Sequence, residues 1–115
     1  MSKFEMVLEQ KRIKYTLSKV HGKNKYTLRP GTLGNKISEI MSNITELSKV
    51  MNEREYAVLP VAKAEPYMLE IVFSQTEHHW RIVKGIDSID IDNINDITTL
   101  QKILNTLLNN GVIHG

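Results

Sequence analysis

Ile37-Ser38-Glu39-Ile40-Met41-Ser42-Asn43-Ile44-Thr45-Glu46-Leu47-Ser48-Lys49-Val50-Met51 is the stretch on which the reading of the fold turns. Ile37, Ile40, Met41, Ile44, Leu47, Val50 and Met51 recur at three- and four-residue intervals. Lys36, Glu39, Asn43, Glu46, Lys49 and Glu53 fall elsewhere, so the period is that of an amphipathic helix, with Asn35 the expected N-cap. Its wide apolar stripe has to be buried, and the flanking β-rich runs are the only nearby surfaces large enough to receive it. Tyr67, Leu69, Ile71 and Phe73 alternate onto one face and are the expected partners. The fold class that follows is α+β, a small antiparallel sheet packed with amphipathic helices.

Outward from the helix, residues 26–28 form a short strand stopped by Pro30-Gly31, and residues 56–61 and 67–73 form a hairpin. Pro60 cannot donate to a ladder, which places its strand at an edge or ends it nearby. Toward the N-terminus, a helix over 3–12 is expected, with Ser2 as N-cap and Glu5 completing a capping box. The period then changes to two over 13–20, and the His21-Gly22-Lys23-Asn24 turn joins this run to the 26–28 strand as a hairpin with a basic tip. Toward the C-terminus, Trp80-Arg81-Ile82-Val83 reads as a further strand closed by Gly85, and 87–96 as a solvated loop or edge strand. The latter's acidic residues lack the glycine and glutamate of an EF-hand loop. Asp96 or Thr98 caps a last helix bearing Ile97, Leu100, Ile103, Leu104, Leu107 and Leu108, with Gly111 as its stop. The order is α-β-β-α-β-β-(β)-α in a single domain over residues 1–115.

A hydrophobic content of 41% suits a packed core, and no apolar run approaches the ~20 residues that span a bilayer. Without cysteine, disulfides and thiolate chemistry are excluded. The first residues lack the apolar stretch of a secretion signal, so a cytoplasmic location is expected. The net charge of +2 hides an asymmetry: residues 1–36 carry nine Lys or Arg against Glu5 and Glu9, while 87–115 carry Asp87, Asp90, Asp92 and Asp96 against Lys102. A basic end of this kind is what a polyanion-binding surface leaves in a sequence, although a merely solvated face leaves the same mark.

The candidate nucleic-acid contacts are Lys14, Lys23, Lys25, Arg29 and Lys36. Gly31, Thr32 and Gly34, leading into the central helix, form a candidate anion-binding loop or a simple strand-to-helix turn. The loop's GxxG string does not sit between two helices as a KH motif requires, and no Walker A loop is present. His78 and His79 are adjacent, so in a strand they face opposite ways and cannot hold one metal with His21 or His114. No hydrolase signature appears, and neither a cofactor nor a catalytic role is expected. The tyrosines and Trp80 are interleaved with basic residues, as stacking platforms are, although Tyr56 and Tyr67 fit a core or rim role equally.

Tyr26-Thr27-Leu28-Arg29-Pro30-Gly31, Asn35-Lys36-Ile37-Ser38-Glu39-Ile40, Ile44-Thr45-Glu46-Leu47, Val58-Leu59-Pro60-Val61-Ala62-Lys63 and Met68-Leu69-Glu70-Ile71-Val72 resemble, in this order, the α-domain that precedes the motor of FtsK/SpoIIIE-type DNA translocases. The resemblance covers about residues 4–73. Ala62 stands where that family has a turn glycine, Ser74-Gln75 where it has Pro-Asn, and the motor is not in this chain. The resemblance implies a non-catalytic, DNA-associated module of a plasmid, phage or integrated element that binds backbone phosphates without sequence preference. The alternative is a protein-interaction adaptor, chaperone or inhibitor docking through a strand edge or the last helix. Apolar stripes on two helices over one small sheet further suggest a homo-oligomer, most simply a dimer, with Trp80, Leu100, Leu104 and Leu107 at its interface.

Overall fold

A computed structural model describes residues 1–91, 94 and 96–110, the side chain of Asn110 excepted. Gly111, His114 and Asp92, to which the sequence assigned roles, lie outside the described residues. The elements are α1 (Lys3–Gln10), β1 (Tyr15–Val20), β2 (Lys23–Leu28), α2 (Ile37–Ser48), β3 (Glu55–Ala64), β4 (Tyr67–Ser74), β5 (His78–Lys84), β6 (Asp87–Ile91) and α3 (Ile97–Asn110). The α+β class stands, with six strands in one sheet in the order β1-β2-β3-β4-β5-β6. The acidic run after Gly85 is the sixth strand, paired to β5 with Ile82 opposite Ile89.

One pair departs from the expected antiparallel sheet. β2 and β3 run parallel, Asn24 opposite Glu55 through Thr27 opposite Val58, because α2 is the crossover between them. Pro60 sits in an interior strand rather than at an edge. It is tolerated there because pairing with β2 stops at Val58, and the register against β4 slips between Pro60 and Ala62.

α1 stops at Gln10, not Arg12. Arg12 adopts φ 58°, its N–H donates to the Glu9 carbonyl (3.1 Å), and Ile13 N–H donates to the Leu8 carbonyl (2.9 Å), which together form a Schellman cap. At the other end of α1 the expected capping box is present, with Glu5 N–H donating to Ser2 Oγ (3.1 Å). His21 and Gly22 both take positive φ, which gives the β1–β2 hairpin the two-residue turn whose twist matches its strands. The cap of α2 is a correction: Lys36, without a side-chain hydrogen bond, occupies the position expected of Asn35. α3 follows Asp96, whose carboxylate accepts from Thr98 N–H (3.0 Å) and the Thr99 hydroxyl (2.8 Å) and is thereby held below the usual range.

All three helices lie on the same face of the sheet. Phe4 of α1 meets the Tyr26 ring edge-on at 4.9 Å, α3 packs across β3 and β4, and α2 packs on β4. The cluster beneath them joins Ile40, Ile44 and Leu47 of α2 with Leu59, Leu69, Ile71, Phe73, Trp80 and Ile82 of the strands. Trp80, Leu100 and Leu104, expected at an oligomer interface, are therefore inside the fold, at 3%, 0% and 0% exposure. Leu107 is partly buried against the same cluster. Their burial leaves Trp80, Leu100 and Leu104 no surface to offer a second copy. No helix among the described residues is long and apolar enough to cross a membrane.

Candidate functional site

Alternation along the strands leaves a second face with no helix over it among the described residues. From the register, that face carries Thr16, Ser18 and Val20 of β1, Lys23, Lys25 and Thr27 of β2, Tyr56, Val58, Pro60 and, past the register slip, Lys63 of β3, Met68, Glu70, Val72 and Ser74 of β4, His79, Arg81 and Val83 of β5, and Ser88 and Asp90 of β6. Val58 and Val72, which pair directly, are buried yet stand outside the main core cluster, as residues on the far side of a sheet should.

The two halves of this open face differ in charge. On the β4–β6 half, Arg81 is matched with a carboxylate and His79 lies beside one. Arg81 donates to Glu70 Oε1 through Nε (2.8 Å) and Nη2, and His79 Nε2 lies 3.4 Å from Asp90 Oδ1. On the β1–β2 half, Lys23 and Lys25 alternate with inward residues. The two-residue spacing continues through Thr27 to Arg29, while Lys14 stands beside Arg29, whose N–H donates to the Lys14 carbonyl (2.8 Å). Among the described residues, none of Lys14, Lys23, Lys25 and Arg29 makes an ion pair. Between them lie only hydroxyls and one valine. Lys23 and Arg29 stand about 20 Å apart at ~3.3 Å per strand residue.

At the Lys14 and Arg29 end, the stop of the β2–β3 pairing opens a hollow of about 620 Å³ lined by Lys14, Thr16, Thr27, Arg29, Pro30 and Pro60, among others. The proline explains the gap, because it offers no N–H with which to continue a ladder there. At the other end, a groove of about 440 Å³ is lined by Tyr56, Lys23, Val72, Ser74, His79 and Arg81, with Glu53 and Glu77 at its margin. Tyr56 is half-buried and stands opposite Lys25 in the parallel register.

Four of the five basic residues singled out in the sequence thus share one face, and Lys36 does not. It lies at the start of α2, on the helical side. The candidate anion loop is not open to an anion. Thr32 N–H and hydroxyl both donate to the Arg29 carbonyl (3.3 and 2.8 Å), and Gly34 N–H donates to Gly31 (3.4 Å). The Glu39 side chain also folds back over Gly34, so closely that a Cβ there would lie 2.4 Å from its carboxyl carbon. A carboxylate in the first turn takes the place an anion would have used. Thr16, Ser18 and Thr27, which the sequence did not single out as candidate contacts, lie on the same face as Lys14, Lys23 and Lys25. Their signal is the two-residue period, whereas the lysines were found by charge.

The covered face has its own polar point. The Tyr26 hydroxyl lies within hydrogen-bond distance of Glu5 Oε1 (2.9 Å) and Glu55 Oε2 (3.1 Å), and Glu55 Oε1 accepts from Asn52 N–H (2.9 Å). Burial pushes the phenol above the ordinary tyrosine range, and the two carboxylates push it further while Ser2 opposes them. The Tyr26 hydroxyl bond, in turn, holds Glu5 below the usual carboxylate range. These groups anchor α1 and the α2–β3 turn to β2 and face away from the open side.

This chain is 38% identical over 102 residues to the uncharacterized protein ORF108 of Acidianus filamentous virus 2 (isolate Italy/Pozzuoli), an alignment that covers 89% of this chain and 93% of the viral protein. It belongs to that protein's family. No family model matches the chain, and no solved structure matches it. The shared region takes in most of the chain's length, so the relationship extends over the fold and not over one motif.

Proposed function

We propose that this protein is a non-catalytic nucleic-acid-binding module whose open sheet face holds the phosphate backbone. The observation that carries this is the run of Lys23, Lys25 and, past Thr27, Arg29 on alternating positions of one face, with Lys14 beside it, none of them with an ion-pair partner and none under a helix among the described residues. Unpaired cations held in a row by a strand suit a linear polyanion better than a single acidic side chain. Elsewhere on the same face, Arg81 and His79 already have carboxylates, which makes the bare β1–β2 half a local feature and not a consequence of the net charge. The translocase resemblance is not needed for this, and an origin in a virus or other mobile element agrees with the viral relative.

Titration of a labelled duplex and a labelled single strand at two salt concentrations tests it. Affinity should fall steeply with salt, with a slope near −0.7 to −0.9 per phosphate contact. No binding of either at low salt would overturn the proposal.

A further inference from the structure

We infer that the occupant of the open face is a single strand, with one base stacked on Tyr56 and the adjoining phosphates running along Lys25, Arg29 and Lys14. This rests on the nucleic-acid reading above and narrows it. The first ground is shape. A duplex major groove, ~12 Å wide, admits a helix or a two-stranded ribbon, whereas six strands in one layer present a face about 24 Å across at ~4.8 Å per strand. Against a duplex, such a face reaches only outlying phosphates. A flexible strand can lie along it.

The second ground is the ring. Tyr56 projects from the open side of β3, half-buried, directly across from Lys25, and its groove is backed by Val72. An aromatic ring beside a cation on an uncovered sheet supplies both things a single strand uses, a π-face for a base and a charge for the next phosphate. The third ground is direction. Glu53 and Glu77 flank the Tyr56 groove beyond Lys23, so phosphates are repelled there and drawn the other way, through Lys25 toward the hollow. That hollow is mostly apolar on its floor and carries Lys14, Arg29 and the Thr16 and Thr27 hydroxyls at its lining. A second base and its sugar fit this chemistry. A bare phosphate does not need the apolar floor.

The experiment uses the full chain and three probes, each titrated at a low and a higher salt concentration: a thymidine oligonucleotide of about 12 nucleotides, within the ~4–16 that one such surface covers, an abasic strand of equal length, and a hairpin duplex. The thymidine strand should bind at least ~10-fold tighter than the abasic strand, and tighter than the duplex. Tyr56→Ala should weaken thymidine binding about 5- to 100-fold, the range carried by one base stacked on a ring, with the salt slope unchanged, and Tyr56→Phe should retain it. Thermal melts establish that both variants fold. If Tyr56→Ala does not, the comparison of thymidine and abasic strands on the unmodified protein decides. Equal binding of the two strands, tighter binding of the duplex, or a loss in Tyr56→Phe as large as in Tyr56→Ala overturns the single-strand inference and leaves the polyanion reading intact. Failure of all three probes to bind at low salt overturns both.

Discussion

The same strands write the two faces of this sheet, and the faces have little else in common. Along β2, Tyr26 and Leu28 point under the helices at 0% and 1% exposure, while Lys23, Lys25 and Thr27 point the other way. Along β4, Leu69, Ile71 and Phe73 enter the core while Met68, Glu70, Val72 and Ser74 face outward. A slip of one residue would exchange the two sets, so register is fixed by the covered face and the open face inherits its pattern. What the contrast teaches is that the covered face accounts for stability, and the arrangement of charge on the open face is left for another purpose. Substitutions on the two faces should therefore separate into two kinds.

The largest effect belongs to the covered face. Phe73→Ala removes a ring at 1% exposure from the centre of the sheet and should cost about 3–5 kcal/mol in denaturant unfolding. A loss below about 1 kcal/mol would mean that the helices are not packed on this face as described. Next comes a place where the open face is itself structural. Arg81→Met leaves the Glu70 carboxylate, 9% exposed, without its partner. Because Arg81 keeps a quarter of its side chain in water, about 2–3 kcal/mol is expected, less than the full cost of breaking a buried pair. The double variant Glu70→Leu/Arg81→Met should recover most of that loss, and failure to do so would assign the pair a role beyond mutual neutralisation.

A smaller effect tests the polar point of the covered face by pH. The folded-state pKa of Tyr26 is raised above the ordinary value near 10. The folded protein thus keeps its proton where the unfolded chain loses it, and the associated stability is fully present below about pH 10 and drains away as pH rises further. Between pH 10 and 11 the loss should be on the order of 1 kcal/mol. Tyr15, also raised by burial and by Glu5 and Glu9, adds to the slope. Tyr26→Phe should flatten the alkaline decline. On the acid side, Glu5 has the opposite sign: its lowered pKa stabilises the fold above the ordinary carboxylate value, and that contribution disappears as pH falls through the lowered one. An unchanged alkaline profile in Tyr26→Phe would remove this tyrosine from the linkage.

Much of the covered face was legible before any coordinates. The stripe of α2 and the alternation of Tyr67, Leu69, Ile71 and Phe73 are strong periodic signals, and they meet as expected. The parallel β2–β3 pair was not legible, because which strand a crossover helix returns beside is a long-range choice that local pattern does not encode. The end of α1 was hidden because Arg12 takes the left-handed position where glycine is the usual signal. Trp80, Leu100 and Leu104 were misread because an apolar stripe announces burial without saying whether its cover is the same chain or another. The open face was half legible. Charge asymmetry found Lys14, Lys23, Lys25 and Arg29 but also took in Lys36, which the strand period would have left out.

The smallest expected change in stability is the one that bears most directly on what the open face is for. Lys14, Lys23 and Arg29 are exposed and Lys25 is half-buried, and among the described residues none of the four has an ion-pair partner, so neither packing nor charge pairing there explains them. Replacing Lys25 or Arg29 by Gln removes the charge and keeps a polar side chain with part of the stem. Each change should move unfolding free energy by no more than about 0.5 kcal/mol. If the face holds a phosphate backbone, each should also weaken binding and lessen the salt slope by about 0.7 to 0.9, one counterion's share. Lys36→Gln is the internal control, since its charge lies on the helical side and should leave the slope alone. Three outcomes discriminate. Slopes that fall for Lys25 and Arg29 but not for Lys36 place the polyanion on the open face. Slopes that fall equally for all three assign binding to net charge and not to this surface. A stability loss of 2 kcal/mol or more, on the scale of ~1–3 kcal/mol for an unsatisfied buried partner, would show that the cations hold the sheet together and would erase the contrast between its faces.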